Sequence, residues 1–401
     1  MKVSGLDVHK DSVFCSIYDG KQYGKTQEFN TFTEGIRKMG YHLKLNKVKK
    51  VAMESTGIYW IPVWNILEDM GFELMLVNPY LIKQIPGRKS DIKDAQWIAR
   101  LLHNGLLKGS LVPGRFIREL RTYSRKQVKI QGKITGVLQE MERTLEMCNI
   151  RITSLVSSIN SVSVIKVIEK IIAGEDTVEE LATCIHSRIL NSKGELVRLS
   201  LEGHIEEQHR FTLMLAYERY KLYTQQLEML EKKMEEICEK HFKKQMELLT
   251  SIEGIKELSA MQIIAETGGN MSAFEKSGKL TGWTGLRPRN DESAGKYKST
   301  ATTKGNKYLR RIMVQCAWAA SRTKGSFYKS KFEQLCMRKS RKKALIAIAR
   351  KLLTVVWHVL REEEPFNPKM LPIYNPEKMI RKVKYHQREL EKLEKLGFLS
   401  A

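Results

Sequence analysis

The sequence predicts an α/β domain followed by a long helical arm and a basic, mainly helical domain. Three observations support this order. Short β-prone runs alternate with helical patterns over residues 1–112, hydrophobic residues recur every seven positions over 113–247, and Lys and Arg accumulate over 248–360. A chain of 401 residues accommodates two or three domains, and its 42% hydrophobic residues can fill their cores. Residues 361–401 read as a charged tail.

The first domain is predicted from alternating periodicity. Residues 2–9, 12–19, 25–32, 51–54 and 72–78 are β-prone, whereas 33–46, the segment from 55 to 70, and 91–103 have helical patterns. Strands that precede and then alternate with helices favour a mixed α/β sheet.

Two long helices are predicted for the arm, with an insert at about 151–204 between them. In the second helix the apolar positions follow the 4-3 spacing of a coiled coil; they are Ala216, Tyr220, Tyr223, Leu227, Leu230, Met234, Ile237 and His241. Two such helices predict a hairpin-like arm, and a compact helical bundle is the alternative.

Charge narrows the class of function. The formal net charge is +24, and residues 279–351 alone hold 20 Lys and Arg against 3 acids. Such a local surplus predicts a surface that binds a polyanion. The sequence has no apolar stretch of membrane-spanning length, no C-x-x-C pair and no Walker-A string. These observations predict a cytosolic protein without a membrane partner, a zinc site or a nucleotide cofactor.

Four carboxylates are candidate metal ligands. Asp7 and Glu54 end predicted strands, and Asp91 and Asp94 share one face at the start of a predicted helix. An RNase H-like fold gathers metal ligands from such positions. Mg²⁺ prefers carboxylate oxygens, and two ions about 4 Å apart can clamp the attacking and leaving oxygens of a phosphodiester. Each acid alone has an ordinary structural explanation, but the four together predict a two-ion Mg²⁺ site.

The most unusual string, residues 285–311, holds Ser293 among small and basic residues. The candidate nucleic-acid contacts in it are Arg287, Arg289, Lys296, Lys298, Lys304, Asn306, Lys307, Arg310 and Arg311. No His lies near Ser293 in the sequence, so a protease-like triad is not supported. From these residues alone, we expect Ser293 to bind a phosphate rather than to act as a nucleophile.

Six motifs together resemble those of one family, the DEDD transposases of bacterial insertion sequences, family number 110 and its close relatives. The resemblance covers nearly the whole chain. The motifs are Gly5-Leu6-Asp7-Val8-His9-Lys10, Glu54-Ser55-Thr56-Gly57, Lys89-Ser90-Asp91-Ile92-Lys93-Asp94-Ala95, Gly285-Leu286-Arg287-Pro288, Ser293-Ala294-Gly295, and Thr303-Lys304-Gly305-Asn306 with Leu309-Arg310. Each is short, but six in this order are specific.

The resemblance implies a DNA recombinase. It implies a RuvC-like first domain whose Asp7, Glu54, Asp91 and Asp94 bind Mg²⁺, and a serine nucleophile at Ser293 that forms a covalent phosphoserine with DNA. It also implies donor and target DNA paired to a guide RNA from the element's non-coding flank. The active centre would combine acids and serine from different subunits of a homodimer or homotetramer, in the cytoplasm of a bacterium or archaeon and in association with its nucleoid.

Two alternatives remain open. A RuvC-like structure-specific endonuclease would use the same acids with water as nucleophile, and Ser293 would only contact phosphate. A domesticated, non-catalytic transposase would bind nucleic acid without needing the acids.

Overall fold

The computed structural model describes residues 1–54, 57–79, 91–289, 291–293, 296–299, 301–368 and 376–396. Within these ranges, the side chains of 91, 291–293, 296–298, 376–379 and 381–382 lie outside the described part. The chain divides into two units, Met1–Pro113 and Gly114–Ala401.

The first unit is built on a mixed sheet, as the periodicity predicts. Its elements follow the chain as β1 Val3–Val8, β2 Ser12–Tyr18, β3 Gln27–Asn30, α1 Thr33–Leu45, β4 Lys50–Glu54, α2 Trp60–Asp69, β5 Glu73–Val77, α3 Asp91–His103 and β6 Gly109–Ser110. The strand order is β3-β2-β1-β4-β5-β6. β1 and β4 are parallel neighbours in the middle of the sheet, and β4 is also parallel to β5.

Opposite faces of this sheet carry different helices. Leu6, Val8 and Met53 point to the face covered by α1 and α2, where they join one apolar core. Ala52 and Val77 point to the other face and pack with Ile98 and Leu101 of α3. β1 is buried along its whole length because it is covered on both faces.

The second unit is mainly helical. Its elements are α4 Arg115–Met147, α5 Val162–Ala173, α6 Val178–Ala182, α7 Ser187–Leu201, α8 Glu207–His241, α9 Lys243–Thr250, α10 Glu257–Thr267, α11 Ser277–Trp283, β7 Asp291–Ser293, β8 Lys296–Ser299, α12 Lys307–Ala320, α13 Phe327–Cys336, α14 Arg341–Glu362 and α15 Pro376–Lys395. The prediction of an α/β domain followed by mostly helical structure is therefore confirmed.

The two long helices α4 and α8 pack against each other. All eight positions of the predicted seam on α8 are buried or half-buried. At one end of the pair, Met141 and Leu213 share a core with the insert helices α5 to α7. At the other end, Leu120 and Met234 join the core of α9 to α14. The fully buried residues of α8 include Ala216 and Met234 of the predicted seam but also His209, Leu213 and Cys238 outside it, so the coiled-coil arm stays a prediction.

Within the ranges that the structure describes, no helix combines the length and the apolar composition needed to cross a bilayer.

Candidate functional site

Asp7 and Glu54 are placed side by side by strand pairing. β1 and β4 run parallel with Gly5 beside Ala52 and Leu6 beside Met53. The next positions in this register are Asp7 and Glu54, whose side chains point to the same face because side chains alternate along a strand. The two acids therefore lie at the same edge of the sheet, as predicted from their places at strand ends.

Gly5 brings the helix that carries Asp94 onto this face. A Cβ atom at Gly5 would lie 2.3 Å from the carbonyl oxygen of Ala95 and 2.4 Å from the amide nitrogen of Ala99. Only glycine allows the α3 backbone to lie this close to β1. Asp94 directly precedes Ala95, so the approach at Gly5 positions Asp94 beside the face that bears Asp7. Asp91 is the first residue of α3, and its side chain lies outside the described residues.

The electrostatics of Asp7 show that three acids share one environment. Asp7 is buried, with 6% of its surface exposed, and its Oδ2 lies 3.1 Å from Nε2 of His9. Burial raises the pKa of Asp7, the contact with His9 lowers it, and the charges of Glu54 and Asp94 raise it again; the net shift is upward. Carboxylates that destabilise one another's charge are stabilised by a bound cation.

These oxygen donors suit a hard divalent cation. Among the side chains that the structure describes, however, no group of three or more His, Cys, Asp and Glu is close enough to hold an ion. Asp7, Glu54 and Asp94 are thus near enough to interact through their charges without surrounding a common point. The chemistry of the donors fits Mg²⁺, and a two-ion arrangement stays a prediction.

Ser293 is the last residue of β7, the first strand of a short hairpin. β7 pairs antiparallel with β8, and Ser293 is opposite Lys296. Residues 294 and 295, which connect the two strands, lie outside the described part. The side chains of Ser293, Lys296 and Lys298 also lie outside it, so their predicted roles stay predictions. The polar, charged composition of these strands, acidic in β7 and basic in β8, hides the β-pattern, because neither strand supplies an apolar stripe.

Two glycines from separate motifs meet at the base of this hairpin. Gly285 has a φ of 76°, and a Cβ atom on it would lie 2.7 Å from the carbonyl oxygen of Thr303. A Cβ atom on Gly305 would lie 2.4 Å from the carbonyl oxygen of Trp283. The two chain segments thus touch through their backbones, which explains why both motifs contain glycine.

Asn306 and Arg310 hold this base together instead of reaching outward. The side-chain oxygen of Asn306 accepts from the amides of Tyr308 and Leu309 and caps α12. Arg310 donates to the carbonyl oxygen of Gly285 at 2.8 Å and to Oγ1 of Thr302 at 3.0 Å. The sequence predicted nucleic-acid contacts for both residues. Their polar groups bind within the chain because the hairpin base leaves carbonyl and amide groups that need partners.

Glu266 anchors this network and was not found from the sequence. It lies 1% exposed at the end of α10 and accepts two hydrogen bonds from Arg125, at 2.8 and 2.9 Å, and one from Asn306 at 2.6 Å. Arg121 donates to the backbone carbonyls of Ala265 and Glu266. Burial alone raises the pKa of Glu266, but the hydrogen bonds from Arg125 and Asn306 and the positive charges outweigh it and lower the pKa. The available signal in the sequence was a single acid, Glu266, that follows the apolar residues Ile263, Ile264 and Ala265 in a helical pattern.

The other predicted basic contacts are exposed. Arg287, Arg289 and Lys304 line an open cleft of about 480 Å³ beside the hairpin base. Lys307 and Arg311 are exposed on the first two turns of α12. These five cations are accessible to phosphate groups, as the sequence predicts.

Two segments of the chain match the sequences of known protein families. Residues 4–150 match the family model of a DEDD transposase of insertion sequence IS110, and residues 246–331 match that of the transposases of the IS116/IS110/IS902 family. The chain is 23% identical over 384 residues to the transposase of insertion sequence element IS1111A from Coxiella burnetii, with 91% of each chain covered. It is 29% identical over 125 residues to an uncharacterized 42 kDa protein of insertion element IS900 from Mycobacterium paratuberculosis, covering 30% of this chain and 31% of that one.

Among solved structures, Thermus thermophilus RuvC in complex with a Holliday junction substrate matches with 14% identity. The match covers 27% of this chain and 99% of the RuvC chain, and the TM-score is 0.22.

Proposed function

The chain belongs to the transposases of the IS116/IS110/IS902 family, and we propose that it cuts and rejoins DNA through a phosphoserine intermediate. As a transposase it is a DNA-processing enzyme. The observation that carries the proposal is the set of three acids, Asp7, Glu54 and Asp94, on one face of a sheet in a chain that also carries a large basic surface.

Asp7, Glu54, Asp91 and Asp94 would hold divalent metal, for which Mg²⁺ suits the oxygen donors best. Such an ion supplies Lewis-acid stabilisation of the negative charge that develops on a reacting phosphate. Within the first domain, for which we propose a RuvC-like fold, Gly5 fixes the distance of α3 from β1 and so positions Asp94. His9 contacts Asp7 and orients its carboxylate.

The Ser293 hydroxyl is proposed as the nucleophile. Its oxygen attacks a phosphodiester phosphorus, the bond from phosphorus to the 3′ oxygen breaks, and that oxygen takes up a proton as the serine proton is released. A 3′-hydroxyl of another strand then attacks the phosphoserine, the bond to the serine oxygen breaks, and the serine regains a proton. The number of ester bonds is conserved, so no ATP is required.

The partners follow from the same proposal. Exposed Arg287, Arg289, Lys304, Lys307 and Arg311 would contact the phosphates of donor or target DNA, or of a guide RNA from the element's flank. The paired helices α4 and α8 would form the coiled-coil arm through which two or four copies assemble. Both statements rest on the charge and the seam described above.

A recombination assay in cells tests the metal site. The protein is expressed with its native element flanks and with target DNA, and the recombined junctions are counted. We expect Asp7→Asn to reduce junctions at least about a hundredfold, because a ligand is lost. Asp11→Asn, an exposed acid four residues away, is the matched control and should recombine like the wild type.

A binding measurement separates folding from chemistry. Mg²⁺ or Mn²⁺ should raise the melting temperature of the wild-type protein and of Asp11→Asn, but not of Asp7→Asn, because only a bound ion stabilises the folded state. Wild-type recombination by Asp7→Asn, or equal metal stabilisation of all three proteins, would contradict the proposal.

A further inference from the structure

A second basic cleft lies along helix α14 and adjoins the cleft of Arg287, Arg289 and Lys304 at Pro288. Its volume is about 1360 Å³, and it is open on one side. Ile346 and Ala347 of α14 form part of its floor with Leu286 and Pro288. We call it the α14 groove. Its cationic side chains are Arg338, Lys339, Lys342, Lys343, Arg350 and Lys351.

Among the side chains that the structure describes, the cations of the α14 groove have no acidic partner, although Lys351 lies over the ring of Phe327. None of the groove-lining residues that the structure describes is acidic. Across the part of the chain whose side chains are described, none of its six cations is within ion-pair distance of a carboxylate. By contrast, two cations of the long helix α8 form ion pairs: Arg219 with Glu140, and Lys233 with Glu236. Six like charges along one groove repel one another, and a bound polyanion relieves that repulsion.

The dimensions favour an extended ligand over a single anion. Lys342 and Lys351 are nine residues apart on α14, which at 1.5 Å per residue is about 13.5 Å. One strand of a duplex carries a phosphate about every 3.4 Å along its axis, so the axial extent of the groove along α14 corresponds to roughly four phosphates. The apolar floor between the cations suits the sugar edge of a strand, whereas a free phosphate would leave it uncovered.

The groove is continuous with the hairpin that carries Ser293. Its other wall includes Ser299, Ala301 and Thr302. Ser299 ends β8, the strand that pairs with Asp291–Ser293, and Thr302 accepts the hydrogen bond from Arg310. A nucleic-acid strand seated on α14 therefore runs along the base of the hairpin.

We propose that the α14 groove binds the phosphate backbone of a DNA strand next to the Ser293 hairpin. The choice of DNA rests on the proposed recombination function. The assignment of the groove as a binding surface rests on its six cations, which have no carboxylate partner among the described side chains, and on its length.

Salt-dependent DNA binding by the full chain tests this. Lys343→Gln with Arg350→Gln removes two exposed groove charges one heptad apart on α14. The matched control, Lys232→Gln with Lys240→Gln, removes two exposed charges from α8. Binding to a fluorescent DNA duplex is measured over a range of salt concentrations with EDTA present, so that neither metal nor cleavage contributes. An RNA duplex of the same sequence is measured in parallel.

The groove variant should bind DNA roughly tenfold more weakly at physiological salt, and the slope of log K against log salt should fall by about 1.5–2. The control should keep the wild-type slope. An unchanged DNA slope in the groove variant, or a loss confined to RNA, would overturn the proposal. Since this assay needs no chemistry at Ser293, its result is independent of whether Ser293 is the nucleophile.

Discussion

The buried carboxylate of Glu266 allows a quantitative test of how the Ser293 hairpin is held. Glu266→Gln keeps the shape of the side chain but removes the charge that Arg125 and Asn306 bind. Breaking a buried ion pair costs about 3–5 kcal/mol. Because the Arg125 side chain is 40% exposed and can be rehydrated, we expect the lower end, about 3 kcal/mol.

Hydrogen exchange of α12 reports this loss directly, since Asn306 caps that helix. A loss of about 3 kcal/mol speeds exchange in α12 roughly a hundredfold if the opening is local. The insert helix α5 serves as an internal reference. The matched variant, Glu140→Gln, breaks the exposed pair with Arg219 and should leave α12 unchanged. Wild-type exchange of α12 in Glu266→Gln would refute the role assigned to this network.

The same carboxylate gives a pH dependence with a defined sign. Folding lowers the pKa of Glu266 below its ordinary value of 4.5. The unfolded chain therefore binds the proton more tightly, and the stabilisation is present above pH 4.5 and lost as the pH falls through the folded pKa. The protection of α12 amides against hydrogen exchange should decline below pH 4.5 in the wild type. It should decline less in Glu266→Gln, which lacks the titrating carboxylate. Equal declines would contradict the assignment.

Three further outcomes are expected. Gly5→Ala should lower the free energy of local opening of α3, measured by hydrogen exchange, by about 2–3 kcal/mol, because the new Cβ meets backbone atoms. Gly24→Ala should leave this free energy unchanged, because its Cβ would lie 3.7 Å from the nearest atom. Asn306→Asp should destabilise α12 although Asp caps helices well, since it places a second carboxylate against Glu266; a neutral effect in thermal melting would argue against the contact. Alkylation of the native protein at pH 8 should modify Cys184 and Cys336 first, because burial raises the pKa of Cys15 and Cys316 to about 11 and of Cys238 to about 12; early labelling of those three would contradict their burial.

The α/β unit could be predicted well because its signals are local. The runs that become β1, β2 and β4 combine apolar residues with polar ends, and each stands within a residue or two of its prediction. β6 was missed because two residues, Gly109–Ser110, have no period. The hairpin of Ser293 was missed because its strands are polar and charged, and because the glycines that let its flanking segments approach, Gly285 and Gly305, are twenty residues apart in the sequence.

In the candidate site, too, some residues could be predicted from local sequence signals and others could not. Asp7 and Glu54 were found because strand ends gather side chains at one edge of a sheet. The function of Gly5 as a contact for α3 could not be read from the sequence, since it depends on which helix covers that face. Asn306 was predicted to contact nucleic acid because its sequence neighbours are basic. In the folded chain its side-chain amide donates to Glu266 instead, a contact that depends on tertiary structure. A basic string shows that cations are present and leaves open where each side chain points.

The central claim is a covalent link between Ser293 and DNA, and its most direct test is to isolate that link. The protein is expressed with its native element flanks and target DNA, purified under denaturing conditions, and digested, and nucleotide-bearing peptides are mapped by mass spectrometry. Ser293→Ala, Asp7→Asn and the matched hairpin variant Ser299→Ala are treated identically. We predict an adduct on Ser293 in the wild type and in Ser299→Ala, and none in the other two. Strand cleavage that persists in Ser293→Ala without any adduct, and is lost in Asp7→Asn, would instead identify water as the nucleophile and contradict the account.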